Sequence, residues 1–206
     1  MPDLLFATNN HHKLREIQEI MGHEFRIRSL KDINLDIDIP ETQETIEGNA
    51  AQKAWFIHDR TGMDCFADDT GLEIDALDGR PGVYAARYAG EGCSFEDNIN
   101  KVLQEMEGVE IRSACFRCVI CLILGGKEYL FEGRIDGIIT TERNGKEGFG
   151  YDPVFLPNGF KQTFADMPPY LKNGISHRGR AAEKMRKSIK KQTSEPADNS
   201  TGSLVP

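Results

Sequence analysis

Apolar positions first recur as a short continuous run at Leu4 to Ala7, give way to the polar stretch Thr8 to Lys13, and return at Leu14, Ile17 and Met21. Spacings of three and four place those last residues on one helical face, so the pattern predicts a strand, a loop and a helix from about Lys13 to Met21. A second helix is predicted over roughly Thr45 to Arg60, with Ala50, Ala54, Trp55 and Ile57 available for packing. The third runs from Ser94 to Glu107, where Ser94 and Asp97 form a capping-box pattern ahead of Ile99, Val102, Leu103 and Met106. The last is expected to start from Ser176 as N-cap and to bury Ala181, Ala182, Met185 and Ile189.

Alternation with a period of two marks the strands. Cys65 to Ala67 and Leu72 to Leu77 read as strands on either side of Asp68 and Asp69, which places that acidic pair at a sheet edge or turn. Arg112 to Leu124 and Lys127 to Ile135 are joined by Gly125-Gly126, the signature of an antiparallel hairpin. Together these elements predict an α/β domain with a mixed sheet. The expected domain covers residues 1–192; residues 193–206, from Thr-Ser-Glu-Pro onward, have almost no apolar content and are expected to be disordered.

Composition narrows the function. With 33 acidic against 25 basic residues and a net charge of -8, the chain lacks the positive field that nucleic acid or an anionic membrane requires. A phosphate ligand must therefore be held by a local cluster. The N-terminal residues carry no basic, apolar leader pattern and no apolar run is long enough to span a bilayer, so a cytoplasmic protein is expected. Cys115, Cys118 and Cys121 are spaced like metal ligands but fall on a predicted strand, where neighbours three apart face opposite ways; they read as buried thiols.

Four polar stretches are candidates for chemistry. Thr8, Asn9, Asn10, His11, His12 and Lys13 lie where a strand turns into a helix, a place suited to an anion, although without glycine they form no P-loop. Read blandly, they are a helix cap. Asp68 and Asp69 are costly in an apolar setting unless a cation neutralises them, which makes a metal their natural partner and Glu41 a possible addition; a solvated turn is the alternative. Asp69-Thr70-Gly71 also matches the aspartic-protease triplet, but a chain with one triplet and at least four helices does not suit that nearly all-β architecture. The third stretch, Gly148 to Pro153, offers two glycines for close approach and two aromatics for stacking on a flat base. At the fourth, His177 and Arg178 begin the last helix, where cations oppose the dipole and an anionic or carbonyl ligand would explain them.

In order along the chain stand A-T-N-N-H-H-K, E-T-x-x-T-x-x-G-N-A-x-x-K-A, F-A-D-D-T-G-L, P-G-V-Y-A-A-R-Y-A-G, G-F-G-Y-D-P-V-F and I-S-H-R. This set closely resembles the inosine triphosphate pyrophosphatase family, from Leu5 to about Met185. The resemblance implies an elongated, two-lobed α/β domain around a long mixed sheet, with a cleft between the lobes, and commonly a homodimer. It further implies Mg²⁺-dependent hydrolysis of ITP, dITP and XTP to the monophosphate and pyrophosphate. By matching positions, Thr8 to Lys13 and Lys53 would bind the triphosphate. Glu41 and Asp69 would hold Mg²⁺, with Asp69 also the proton acceptor and Asp68 the less certain metal contact. Thr70 would touch substrate, and Phe149, Gly150, Tyr151, Asp152, Lys172, His177 and Arg178 would surround base and sugar. Ile46 departs from the Phe of many relatives, a change of bulk alone.

Overall fold

The structure, a computed structural model, describes residues 3–194. Strand β1 (Asp3–Phe6) leads into α1 (His11–Met21), β2 (Arg26–Arg28) and, after a long connection, α2 (Ile46–Thr61). Next come β3 (Cys65–Ile74), β4 (Pro81–Gly82), α3 (Phe95–Glu105) and the hairpin of β5 (Ser113–Leu124) and β6 (Lys127–Ile139). The chain ends in β7 (Phe155–Pro157), α4 (Pro169–Ile175) and α5 (His177–Ser194). Of the tail expected to be disordered, Thr193 and Ser194 continue α5, and the residues from 195 onward lie outside the described residues.

The strands form one mixed sheet in the order β2-β1-β3-β5-β6-β7, with β4 on β3. β1 runs parallel to β2 and β3, whereas β3, β5, β6 and β7 are antiparallel. The hairpin turns where foreseen, since Gly125 and Gly126 both adopt positive φ, as a tight two-residue connection demands. Strand alternation then sorts β5 between two faces. Phe6, Phe66, Cys118, Ile120 and Leu122 pack with Ile17, Met21, Ala181, Ala182 and Met185 under α1 and α5. Val119, Cys121 and Ile123 pack with Ala50, Ala54 and Ile57 under α2. Cys118 and Cys121 thus lie on opposite sides of the sheet, and burial pushes both thiols up to about 12.

A third cluster, around Leu72, Ile74, Ile99, Val102, Phe116, Val154, Phe155 and Phe164, forms the other lobe with α3 and β7. At about 1.5–3 kcal/mol for each fully buried large apolar side chain, these clusters are the main favourable contribution to the fold. β5 and β6 run through both lobes. Beyond its short pairing with β7, the outer edge of β6 is covered by donors: Lys184 to Glu132 O (2.6 Å), Arg180 to Arg134 O (2.7 Å) and Asn158 N–H to Asp136 O (3.0 Å). Such covering blocks the edge from pairing with another chain.

The helices fall where their periodicity put them, and the caps explain their starts. Thr45 Oγ1 accepts from Gly48 N–H, Ser94 and Asp97 form the reciprocal capping box, and Ser176 Oγ accepts from Gly179 N–H. One expectation is corrected and one helix is added. Cys65 to Ile74 is one unbroken strand, so Asp68 and Asp69 do not form a turn; they pair with Ile120 and Val119 of β5 on one flank, while the other flank is an open stretch of sheet edge. α4, opened by Pro168 and Pro169, adds a helix between β7 and α5 that the proline-rich sequence did not suggest.

Candidate active site

β1 stops at Phe6 while β3 continues, and β4 takes up β3 again only at Leu72. Between those two partners the flank of β3 around Asp68 to Gly71 is open, and a cleft of about 310 Å³ lies there between the lobes. Gly71 permits the tight closure at its far end, because a Cβ there would fall 2.8 Å from Gly82 O and 2.7 Å from Ile46 Cδ1.

The loop after β1 forms the near wall. Asn10 is the N-cap of α1: its Oδ1 accepts from the N–H groups of His12 (2.9 Å) and Lys13 (3.2 Å), and Thr8 Oγ1 accepts from Asn10 N–H (3.1 Å). Asn9 donates to Ile37 O, which ties the loop to the segment before α2. The capping and the ligand-binding readings of this stretch therefore coexist. Thr8, Asn9, Asn10 and Lys13 line the cleft, whereas His11 is exposed.

Adjacent residues of a strand face opposite ways, and this separates the two acids. Asp69 turns toward α2, where Lys53 Nζ lies 3.1 Å from its Oδ1 and Asn49 Nδ2 donates at 3.3 Å. The same ammonium holds Glu41 in a short ion pair. Asp68 turns toward α1 and α5, fully buried, with Lys13 Nζ at 3.1 Å and Arg178 Nε at 2.9 Å. Burial alone would raise both carboxyls. For Asp68 the charges of Lys13 and Arg178 outweigh it and hold the group well below the usual carboxylate range. For Asp69 burial prevails over the pull of Lys53 and Lys13, and its pKa lies above the ordinary value.

Behind Asp68, Arg178 also pairs with Glu16, whose carboxylate accepts from Lys172 at 2.7 Å; Lys172 in turn holds Asp152 at 2.6 Å. This buried chain of alternating charges links the acid-bearing strand to the loop after β6. There Gly148, at φ +79°, brings its backbone against Asp152, and the Asp152 carboxylate accepts from Phe149 N–H at 2.8 Å. Phe149, Gly150 and Asp152 reach the cleft, and Lys172 Nζ and Arg178 Cζ lie 5.1 and 5.6 Å from the Phe149 ring. Tyr151 lines the cleft as well, but not as a free stacking face: it is largely buried against the core of the second lobe, with its hydroxyl donating to Ala85 O. His177 stacks on Phe116 at 4.6 Å, and burial drives its pKa well below 6.5, so the ring is neutral. Its Nδ1 has no partner among the described residues, although the side chain lines the cleft.

The structure thus brings together Lys13, Glu41, Lys53, Asp69, Thr70, Phe149, Asp152, His177 and Arg178 around one cleft. It adds Glu16 and Asn49, which the sequence did not single out. Glu16 looked like one more charged position of an amphipathic helix, and nothing in its local spacing signalled that it is buried beside Ile17.

The Ham1 family model matches residues 4–188. A dITP/XTP pyrophosphatase of Flavobacterium johnsoniae is 52% identical over 88% of this chain and 95% of its own length. One of Porphyromonas gingivalis is 50% identical over 90% of this chain and 96% of its own. Among solved structures, a HAM1 protein from Coxiella burnetii superposes with a TM-score of 0.84 at 37% identity, covering 93% of this chain and all of that one. The matched span takes in every site residue from Thr8 to Arg178, and the chain belongs to the Ham1 family.

Proposed function

We propose that this protein hydrolyses ITP, dITP and XTP at the α–β phosphoanhydride, releasing the monophosphate and pyrophosphate and so clearing these purines from the nucleotide pool. Relatives at about half identity carry the name dITP/XTP pyrophosphatase. The observation that carries the reading to this chain is the Asp69–Lys53–Glu41 group facing the cleft, which is also lined by His177, whose Nδ1 has no partner among the described residues.

The donor set suits Mg²⁺, which takes one or two carboxylates and completes its shell with water and phosphate oxygens. Glu41 and Asp69 converge on one ammonium, so their oxygens already face a common cationic position. Bound there, Mg²⁺ supplies neutralising charge to the phosphate oxygens and eases ionisation of a water. The protein's own groups do the rest. Lys13 and Lys53 offset charge on the departing pyrophosphate, and most of the rate then comes from positioning and electrostatics. Asp69, with its raised pKa, accepts the proton of the attacking water. Asp68 stays ionised and fixes Lys13 and Arg178 from behind.

Selectivity follows from hydrogen-bond direction. A 6-oxo purine accepts where adenine donates, and such mismatches discriminate by about 10⁴. No helix among the described residues is long and apolar enough to cross a membrane. We place the protein in the cytoplasm as a homodimer, which light scattering coupled to gel filtration tests. The central experiment measures pyrophosphate release from ITP, XTP, dUTP and ATP with Mg²⁺, for the wild type and Asp69→Asn. Release from ITP and XTP, abolished by chelation and by the substitution, is expected. Binding of ITP without pyrophosphate release would sink the enzyme reading.

A further inference from the structure

Phe95 opens α3 with its ring 42% exposed, and it belongs to none of the three buried clusters. Its place is nonetheless well fixed. The Ser94–Asp97 capping box sets the first turn of the helix. Asn98, buried on the next position of that turn, accepts from Ala89 N–H at 2.8 Å and donates to Ala86 O at 3.1 Å. An exposed phenyl group held this firmly at the wall of a ligand cleft has no role in folding that its surroundings reveal.

Its aromatic neighbours point to one. The Phe95 ring meets His12 edge-on at 6.1 Å and Phe149 at 6.0 Å, while His12 and Phe149 stack with centroids 5.1 Å apart and planes 16° from parallel. Two phenyl rings, one by its face and one near its edge, therefore hold a planar nitrogen heterocycle between the lobes. An imidazole is also the five-membered half of a purine. We infer that Phe95 is a further base-contacting residue, which offers its ring edge to a purine that takes the place of the His12 ring against Phe149. Edge-to-face contact of this kind suits the quadrupoles of aromatic rings. The inference rests on the purine nucleotide reading above. Phe95 carries no ionisable group, so its contribution goes to binding rather than to the chemical step.

The test compares steady-state kinetics on ITP with inhibition by inorganic tripolyphosphate, which has no base. Phe95→Ala should raise KM for ITP by about three- to ten-fold with kcat unchanged. Phe95→Leu should do the same despite its bulk, Phe95→Tyr should restore the wild-type KM, and tripolyphosphate should inhibit all four proteins equally. Thermal melting, expected to be unchanged at this exposed position, controls for folding. An unaltered KM in both Phe95→Ala and Phe95→Leu overturns the inference, as does an equal weakening of tripolyphosphate inhibition, which would make Phe95 a scaffold residue. If the wild type releases no pyrophosphate from ITP, the functional reading itself has failed.

Discussion

Arg178 lies 2% exposed between Asp68 and Glu16, and among the described residues its guanidinium is the only group that pairs with both. Removing one partner from a buried ion network leaves uncompensated charge, so Arg178→Met should destabilise the protein by about 3–5 kcal/mol, read from the urea midpoint. Arg178→Lys should rescue little, since an ammonium cannot span both carboxylates with a planar fork. His177 gives a pH dependence. Its folded pKa lies well below the unfolded 6.5, so below pH 6.5 the unfolded chain binds the proton that the folded one refuses. Stability from this group is complete above 6.5 and falls as the pH drops toward the folded value, by at most about 1.4 kcal/mol per pH unit. In His177→Phe, which keeps a ring against Phe116, denaturation curves between about pH 5 and 7 should lose that part of the slope.

At the level of elements, the approach of α5 to β6 depends on a missing side chain. A Cβ on Gly133 would fall 2.0 Å from His177 O and 2.6 Å from Ala181 N, both backbone atoms. Gly133→Ala must therefore push the start of α5 outward, with an expected loss of about 1–3 kcal/mol in thermal or chemical unfolding and a higher KM for ITP, because His177 and Arg178 move with the helix. The capping box, the hairpin glycines and the apolar helix faces were legible in the sequence because each is a local device, complete within a few residues. β3 was not. Asp68-Asp69-Thr70-Gly71 has the composition of a turn, and what keeps it extended is a neighbour on β5 together with cations from Lys13, Lys53 and Arg178, the last 110 residues away. Glu16 was hidden for the same reason, as its partners arrive from 156 and 162 residues further on. The candidate site residues were picked out instead through their motifs, whose spacing along the chain does not depend on local propensity.

For the molecule as a whole, β5 and β6 are shared by both lobes, paired to each other without interruption from Ser113↔Ile138 to Leu124↔Lys127. Neither lobe can unfold and leave the other's sheet intact. Urea unfolding should accordingly show a single transition, with far-ultraviolet circular dichroism and Trp55 fluorescence coincident; two separated midpoints would contradict this. The alternation of β3 has a consequence of another kind. Asp68 and Asp69 are equivalent as letters, and only the parity of their positions decides which one meets Lys53 and which meets Arg178. Loss or gain of a single residue ahead of them in the strand would exchange their surroundings while leaving every motif readable. Evolution can therefore substitute freely around this strand far more easily than it can change its length, and relatives should carry their insertions in the connections before and after β3.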